Sequence, residues 1–226
     1  AADGGVGTSA WRRRAALDVA GRRAADAAAA ARARVVMRAD AQRVVVTGMS
    51  VVSPLGHDPQ QMFDRLCAGE SGIQQLGAEF DDLPTRIAGV ITDFNSAGLI
   101  EPKKARRMDK VHQYCIATTK MALTDAGLLQ SGTLQGLDDR TRAGVLMGSA
   151  MGGMAAFEDN LNALNARGVR KVSPFAVPYM LSNMSGAIAA MEPELGLRGP
   201  NYSINTACAT ANYCILAAMD HIVRGD

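Results

Sequence analysis

Apolar positions along the chain recur with two periods, and the switches between them mark a succession of strands and helices. In "RVVVTGMSVVSPLG" an apolar run is broken by Gly48 and closed by Ser53-Pro54, which predicts a strand running into a turn. Asp58 is placed to cap a helix reaching Cys67–Ala68, with Gly69 as its stop. Residues 71–101 are looser, with a strand expected at Arg86–Val90. A helix is predicted from about Arg107 to Ala126, carrying Val111, Tyr114, Cys115, Thr118 and Ala122 on one face and ending at Gly127. "RAGVLMGSA" predicts a second buried strand, and Gly152-Gly153 opens a helix toward Arg167. A further helix is expected over Val177–Met191. A short buried strand over Asn201–Thr206 then precedes a helix with Ile215, Ala218, Met219 and Ile222 on its apolar face. Strands alternating with helices predict an α/β fold with a mixed or parallel sheet. No internal repeat is present.

The first 41 residues depart from this pattern. They are rich in Ala and Arg, lack Pro and offer little to pack. Their composition suits either a transit-peptide remnant or a marginally helical tail, although Asp3, Asp18, Asp26 and Asp40 weaken the former. The globular part is expected over residues 42–226.

Composition narrows the function. The chain is 48% hydrophobic and 4% aromatic, so its core must be aliphatic. A net charge of +2 is too small to imply nucleic acid or a membrane surface as partner. No apolar run approaches the ~20 residues that span a bilayer. Cys67, Cys115, Cys208 and Cys214 show neither CxxC nor metal-ligand spacing, which fits a reducing compartment and no metal site. Most free cysteines are inert core residues, and that is the expectation for Cys67, Cys115 and Cys214. Cys208 differs. It falls at a strand-to-helix junction between Ala207 and Ala209, where the start of a helix favours an anion and hence a thiolate. "MGSAMGGMAAF" places glycines after a strand but lacks the spacing and the Lys-Ser/Thr pair of a phosphate loop; its glycines are read as a tight turn.

The segment "GPNYSINTACATANYC" closely resembles the nucleophile region of the β-ketoacyl-acyl-carrier-protein synthases, the condensing enzymes of fatty acid synthesis. "RVVVTGMSVVSPLG", "AGESGI", "RRMDKVHQYCIATTKMALTDAGL", "GVLMGSAMGG" and "RKVSPFAVPYMLSNMSGAIA" are similar to successive segments of the same family, in the same order. The form "TACAT" followed by "ANYC" looks more like the type I than the type II enzymes. The resemblance implies a thiolase-like fold of layered αβαβα architecture, of which this chain would be the N-terminal half.

It also implies a ping-pong condensation. Cys208 would take an acyl group from acyl-carrier protein, and a malonyl-carrier protein would lose CO2 and attack the acyl-enzyme to give a 3-oxoacyl-carrier protein. The backbone N–H of Cys208 would serve as one oxyanion donor. By motif match, Met151 and Phe175 would meet the acyl chain. Lys103, Arg106, Arg107, Arg170 and Lys171 would contact the carrier, a strongly acidic protein. Of these, Lys103, Arg106 and Arg107 lie with Lys104 and Lys110 in "EPKKARRMDK", a run that could equally be a solvated face.

The family's two histidines, supporting lysine and second oxyanion donor fall in its C-terminal half. His57, His112 and His221 match none of these motifs; His57 is read as a loop residue and His221 as helix surface. In "MEPELGLRGP", Pro193 is read as lengthening a turn. No metal or organic cofactor is implied. A homodimer is expected for the complete enzyme, in the plastid stroma or alternatively a bacterial cytoplasm. A polyketide ketosynthase and a non-catalytic chain-length-factor-like subunit are the rival readings, and Cys208 argues against the second.

Overall fold

The computed structural model describes residues 42–226. The Ala/Arg-rich segment read as a transit-peptide remnant or tail lies outside the described residues. The chain divides into two units, Ala1–Arg43 and Val44–Asp226, and every element described lies in the second.

In chain order the helices are α1 (Pro59–Cys67), α2 (Pro102–Ala105), α3 (Lys110–Asp125), α4 (Met154–Arg167), α5 (Ala176–Met180), α6 (Met184–Ala190) and α7 (Thr210–Arg224). The strands are short pairs: β1 (Gln74–Gln75), β2 (Ile87–Ala88), β3 (Leu129–Gln130), β4 (Thr133–Leu134), β5 (Val145–Leu146) and β6 (Asn201–Tyr202). β1 pairs with β2 and β3 with β4 in antiparallel fashion, while β5 and β6 run parallel with Val145 opposite Asn201 and Leu146 opposite Tyr202.

Local chemistry explains the helix boundaries. Asp58 caps α1 by accepting a hydrogen bond from the Gln61 N–H at 2.8 Å, and Pro59 pre-sets the first turn. Asp109 does more. One of its oxygens accepts from Val111 N at 3.2 Å at the start of α3, and the other accepts from Ala156 N at 3.1 Å in the first turn of α4. Gly153, which precedes α4, has no side chain to supply that cap, so a distant carboxylate serves two helices.

The opening segment corrects the expected strand. Residues 43–52 pair with no strand among the described residues, and Val46 is 74% exposed. Their polar groups bond to α3 instead: Met49 N donates to Asp125 Oδ2 and Ser50 Oγ to Thr118 O, both at 2.8 Å. Gly48 permits this approach, because a Cβ there would overlap Ala122 O and stand 2.7 Å from Ala126 N.

The buried face of α3 is also rotated from expectation. His112, Gln113, Ile116, Ala117 and Lys120 are buried, whereas Val111, Tyr114, Cys115, Thr118 and Ala122 are only half-buried. Three of the buried five are polar, and each is satisfied by hydrogen bonds, which is what allows them inside. Ile116, fully buried, joins Ile100, Met108, Ile188 and Ala189 in a core between α3 and α6; Leu129, Leu134 and Leu195 form a second cluster.

The expected helix over Val177–Met191 is divided in two. The Tyr179 carbonyl would receive Asn183 N in a continuous helix, but it accepts from Gly153 N at 3.0 Å and is engaged by His112 Nε2 at 2.8 Å. Leu181 is accordingly extended (ψ 134). Cys67 is exposed at the end of α1, not in the core. The apolar face of α7 is open, with Ile215 63% exposed, because nothing described packs over it; Cys214 is the helix's one buried residue.

Candidate active site

β6 delivers the chain to Cys208 and then lets it go. Only Asn201 and Tyr202 pair with β5, and both are exposed, which corrects the expected buried strand over Asn201–Thr206: the pairing ends at Tyr202 and residues 203–206 continue unpaired to the elbow. A 3-10 turn over Ala207–Ala209 follows, and α7 begins at Thr210 with Ala209 as its N-cap. Cys208 therefore stands one residue before the cap, not inside the first turn of the helix. Ala207 holds φ +51, a left-handed conformation that costs a residue with a Cβ about 1 kcal/mol. That bend carries Cys208 to the exposed apex of the elbow.

The neighbouring side chains fix the elbow. Thr210 Oγ1 accepts from Thr206 N at 2.9 Å, and Ala209 N donates to Thr206 O at 3.1 Å. With its amide oriented to satisfy both ends, Asn205 donates to Ser149 O and accepts from Ser182 Oγ, each at 3.0 Å. It thus ties the elbow to the turn after β5 and to the break between α5 and α6. Gly148 lets the end of β5 lie against the elbow: a Cβ there would overlap Thr210 Cγ2 and Ile204 O.

Cys208 opens onto a pocket of about 490 Å3 bounded by Leu146, Met147, Ala211, Cys214 and Ile215, a wall without charged groups. Among the described residues no acceptor takes the Cys208 N–H. An exposed sulfur, a free backbone donor beside it and an apolar cavity together suit nucleophilic attack on a carbonyl bearing an apolar chain.

Cys67 is exposed as well but lies on α1, away from this pocket, whereas Cys115 and Cys214 are sheltered. Burial pushes the Cys115 thiol up to about 11 against the opposing pull of the Ser185 hydroxyl, so it stays protonated near neutrality. Cys214 lines the same pocket but is buried.

The remaining sequence-derived candidates are dispersed. Met151, in the turn before α4, and Phe175, stacked on Tyr179 with ring centroids 5.5 Å apart, are exposed and do not line the Cys208 pocket. Lys103, Arg106 and Arg107 are exposed on and just after α2, while Arg170 and Lys171 are exposed on the 3-10 turn beyond α4. Arg106 and Arg107 border a pocket of about 570 Å3 that reaches Ala155 and Ala156 at the start of α4. The two basic groups thus lie at opposite ends of that helix, a span of roughly 20 Å.

Lys104 does not belong with the solvated run, because it turns inward to Glu192. His57 lies in a loop against Asp93 at 3.0 Å, and His221 on α7 bonds Tyr202 OH at 2.8 Å and Asp226 at 2.6 Å. Neither lines the Cys208 pocket. Sequence reasoning missed buried Lys120 and Glu192 and half-buried Glu194, which form an ionic cluster. The available signal was that Lys120 falls four residues after Ile116 and so shares its helix face. Among the described residues no group of His, Cys, Asp or Glu side chains is arranged to hold a metal ion, and no helix is long and apolar enough to cross a membrane.

The elbow presents a cysteine between a parallel strand pair and a helix, and similarity to known proteins defines the class. Residues 41–226 match the family model "Beta-ketoacyl synthase, N-terminal domain", and the chain belongs to that family. It is 47% identical over 187 residues to 3-oxoacyl-[acyl-carrier-protein] synthase I, chloroplastic, of Hordeum vulgare, covering 82% of this chain and 40% of that protein. It is 40% identical over 188 residues to 3-oxoacyl-[acyl-carrier-protein] synthase 2 of Vibrio harveyi, covering 82% and 43%. The chain thus spans about two-fifths of the length of these relatives.

Among solved structures, a β-ketoacyl synthase from Burkholderia phymatum STM815 superposes with TM-score 0.67 at 23% identity, covering 81% of this chain and 44% of that one. A type II polyketide ketosynthase in complex with its acyl-carrier protein gives 0.65 at 21%, covering 82% and 49%. The fold is therefore the thiolase-like fold of the ketosynthases.

Proposed function

We propose that this chain carries the nucleophile of a 3-oxoacyl-[acyl-carrier-protein] synthase that elongates fatty acyl chains. One observation carries the reading: Cys208 is held exposed at a strained elbow, with its own N–H free and an apolar pocket beside it. The Cys208 sulfur attacks the thioester carbonyl of acyl-carrier protein. A new S–C bond forms, the Cys208 N–H stabilises the oxyanion, and the carrier thiol leaves with the proton. The acyl chain stays on Cys208. Malonyl-carrier protein then loses CO2, and its carbanion attacks the acyl-cysteine to release the product, a 3-oxoacyl-carrier protein two carbons longer.

Residues 42–226 place no histidine at the Cys208 pocket to assist decarboxylation, so this segment alone is expected to accept an acyl group but not to condense. The reaction asks for no metal or organic cofactor. The exposed cations Lys103, Arg106, Arg107, Arg170 and Lys171 suit an acidic carrier, and Met151 and Phe175 are retained as acyl-chain contacts. A homodimer is the proposed assembly. A plastid location is supported by chloroplastic relatives, with a bacterial cytoplasm as the alternative. Identities of 40–47% to 3-oxoacyl-[acyl-carrier-protein] synthases support the fatty acid substrate class.

The test is elongation by the full-length enzyme containing this chain. Cys208→Ala should abolish formation of 3-oxoacyl-carrier protein; a variant that still elongates would refute the assignment.

A further inference from the structure

Four charged side chains meet beneath α2. Lys120 on α3, 4% exposed, donates to Glu192 Oε2 at 2.6 Å, pairs with Glu194 at 2.5 Å and donates to the Leu99 carbonyl at 2.5 Å. Glu192, 3% exposed, pairs through its other oxygen with Lys104 of α2. One carboxylate therefore joins a lysine of a long helix to a lysine of a very short one.

The short helix needs such a tether. α2 has four residues, far below the length at which a helix holds itself in water, and Glu101 supplies no side-chain cap. Its attachments come from α3 and from the segment just after α6. Gln113 donates to Ala105 O at 2.9 Å and to Met108 O at 3.2 Å, Lys120 holds Leu99 just upstream, and Glu192 holds Lys104 within the helix. With Lys104 drawn inward, Lys103, Arg106 and Arg107 remain exposed. A buried ion pair contributes little net stability compared with a hydrophobic replacement, and its best-attested use is to set register or act as a switch.

We propose that Glu192 is a positioning residue for carrier-protein docking: through Lys104 and Lys120 it locks α2 so that Lys103, Arg106 and Arg107 face an acidic carrier as a fixed array. This rests on the carrier-binding reading of those cations and adds what orients them.

Charge and position make opposite demands, which gives the test. Glu192→Gln makes the protein one unit more positive and Lys104→Met one unit less. If net charge alone governed docking, the first would lower KM for acyl-carrier protein and the second would raise it. If Glu192 positions α2, both raise it, by roughly fivefold, about the contribution of one good surface charge contact.

The full-length enzyme is assayed with acyl-carrier protein and, separately, with the same acyl group on pantetheine, which cannot use the docking face. The loss should fall on KM for the carrier-borne substrate only. Shifts in opposite directions, or equal losses on both substrates, would overturn the proposal. Lys104→Met/Glu192→Leu preserves net charge, replaces the pair with apolar groups and covers the case in which Glu192→Gln does not fold; an unchanged carrier KM in this double variant also overturns it. The triple variant Lys103→Ala/Arg106→Ala/Arg107→Ala reports on the underlying reading. If it leaves the carrier KM unchanged, the docking assignment itself fails, an outcome distinct from failure of the Glu192 tether.

Discussion

Gly148→Ala probes the elbow without touching the sulfur. The added methyl would lie well inside the 3.0 Å separation that Cβ atoms essentially never cross, against both Thr210 Cγ2 and Ile204 O, with the Asn205 side-chain amide at 3.4 Å. Ile204 O is backbone, and Thr210 cannot swing its methyl away freely because its hydroxyl accepts from Thr206 N at 2.9 Å. Overpacking costs about 1–3 kcal/mol, and losing the Thr210 bond adds about 1 kcal/mol. The expected destabilisation is therefore about 2–4 kcal/mol, read as a lowered urea midpoint, together with slower acylation of Cys208 as the elbow shifts. Thr210→Ser, which removes the clashing methyl and keeps the hydroxyl, should recover part of the loss in a double-mutant cycle. A Gly148→Ala protein within about 0.5 kcal/mol of the parent, acylated at the parent rate, would show that the close packing of β5 on the elbow does not hold Cys208 in place.

Three further outcomes follow from the same geometry. Iodoacetamide at pH 7.5 should label exposed Cys67 and Cys208 in the native protein, leaving Cys115, held protonated up to about 11 by burial, and buried Cys214 unlabelled until urea unfolds the chain; native labelling of Cys115 at the rate of Cys208 would contradict this. Asp109→Ala should cost about 2 kcal/mol, twice an ordinary cap, because α3 and α4 both lose one, while Asp109→Asn, which keeps one acceptor oxygen but turns an amide donor toward the other N–H, should still lose about 1 kcal/mol or more in urea titrations. Burial works to raise the Glu194 carboxyl, but the Lys120 ammonium outweighs it and holds the group below the ordinary glutamate range. A depressed folded value means that this contribution is present above the unfolded glutamate range and is lost as pH falls below that range through the lower folded value, so Glu194→Gln should flatten the acid limb of the stability profile.

Much of this was legible in the sequence for physical reasons that can be named. Asp58 and Gly69 bracket α1, and Gly127 with φ +71 ends α3, because caps and left-handed stops depend on the residue itself. The junction at Cys208 could likewise be read from the change of period around it. Features set by distant partners could not. The strand expected in "RVVVTGMSVVSPLG" lies against α3, the helix over Val177–Met191 breaks because Gly153 and His112 take the Tyr179 carbonyl, and the buried face of α3 includes Lys120 because Glu192 and Glu194 lie beside it. Apolar periodicity discounts a lysine, and only tertiary pairing brings one inside. The left-handed Ala207 at the nucleophile was equally hidden, since nothing in an alanine announces strain.

The most direct measurement is the site of acylation. Full-length protein incubated with acyl-carrier protein, or with the thiol-directed mimic cerulenin, is digested and mapped by mass spectrometry. The adduct is expected on the peptide bearing Cys208 and should disappear in Cys208→Ala. An adduct on Cys67, Cys115 or Cys214 with Cys208 unmodified would contradict the account at its centre.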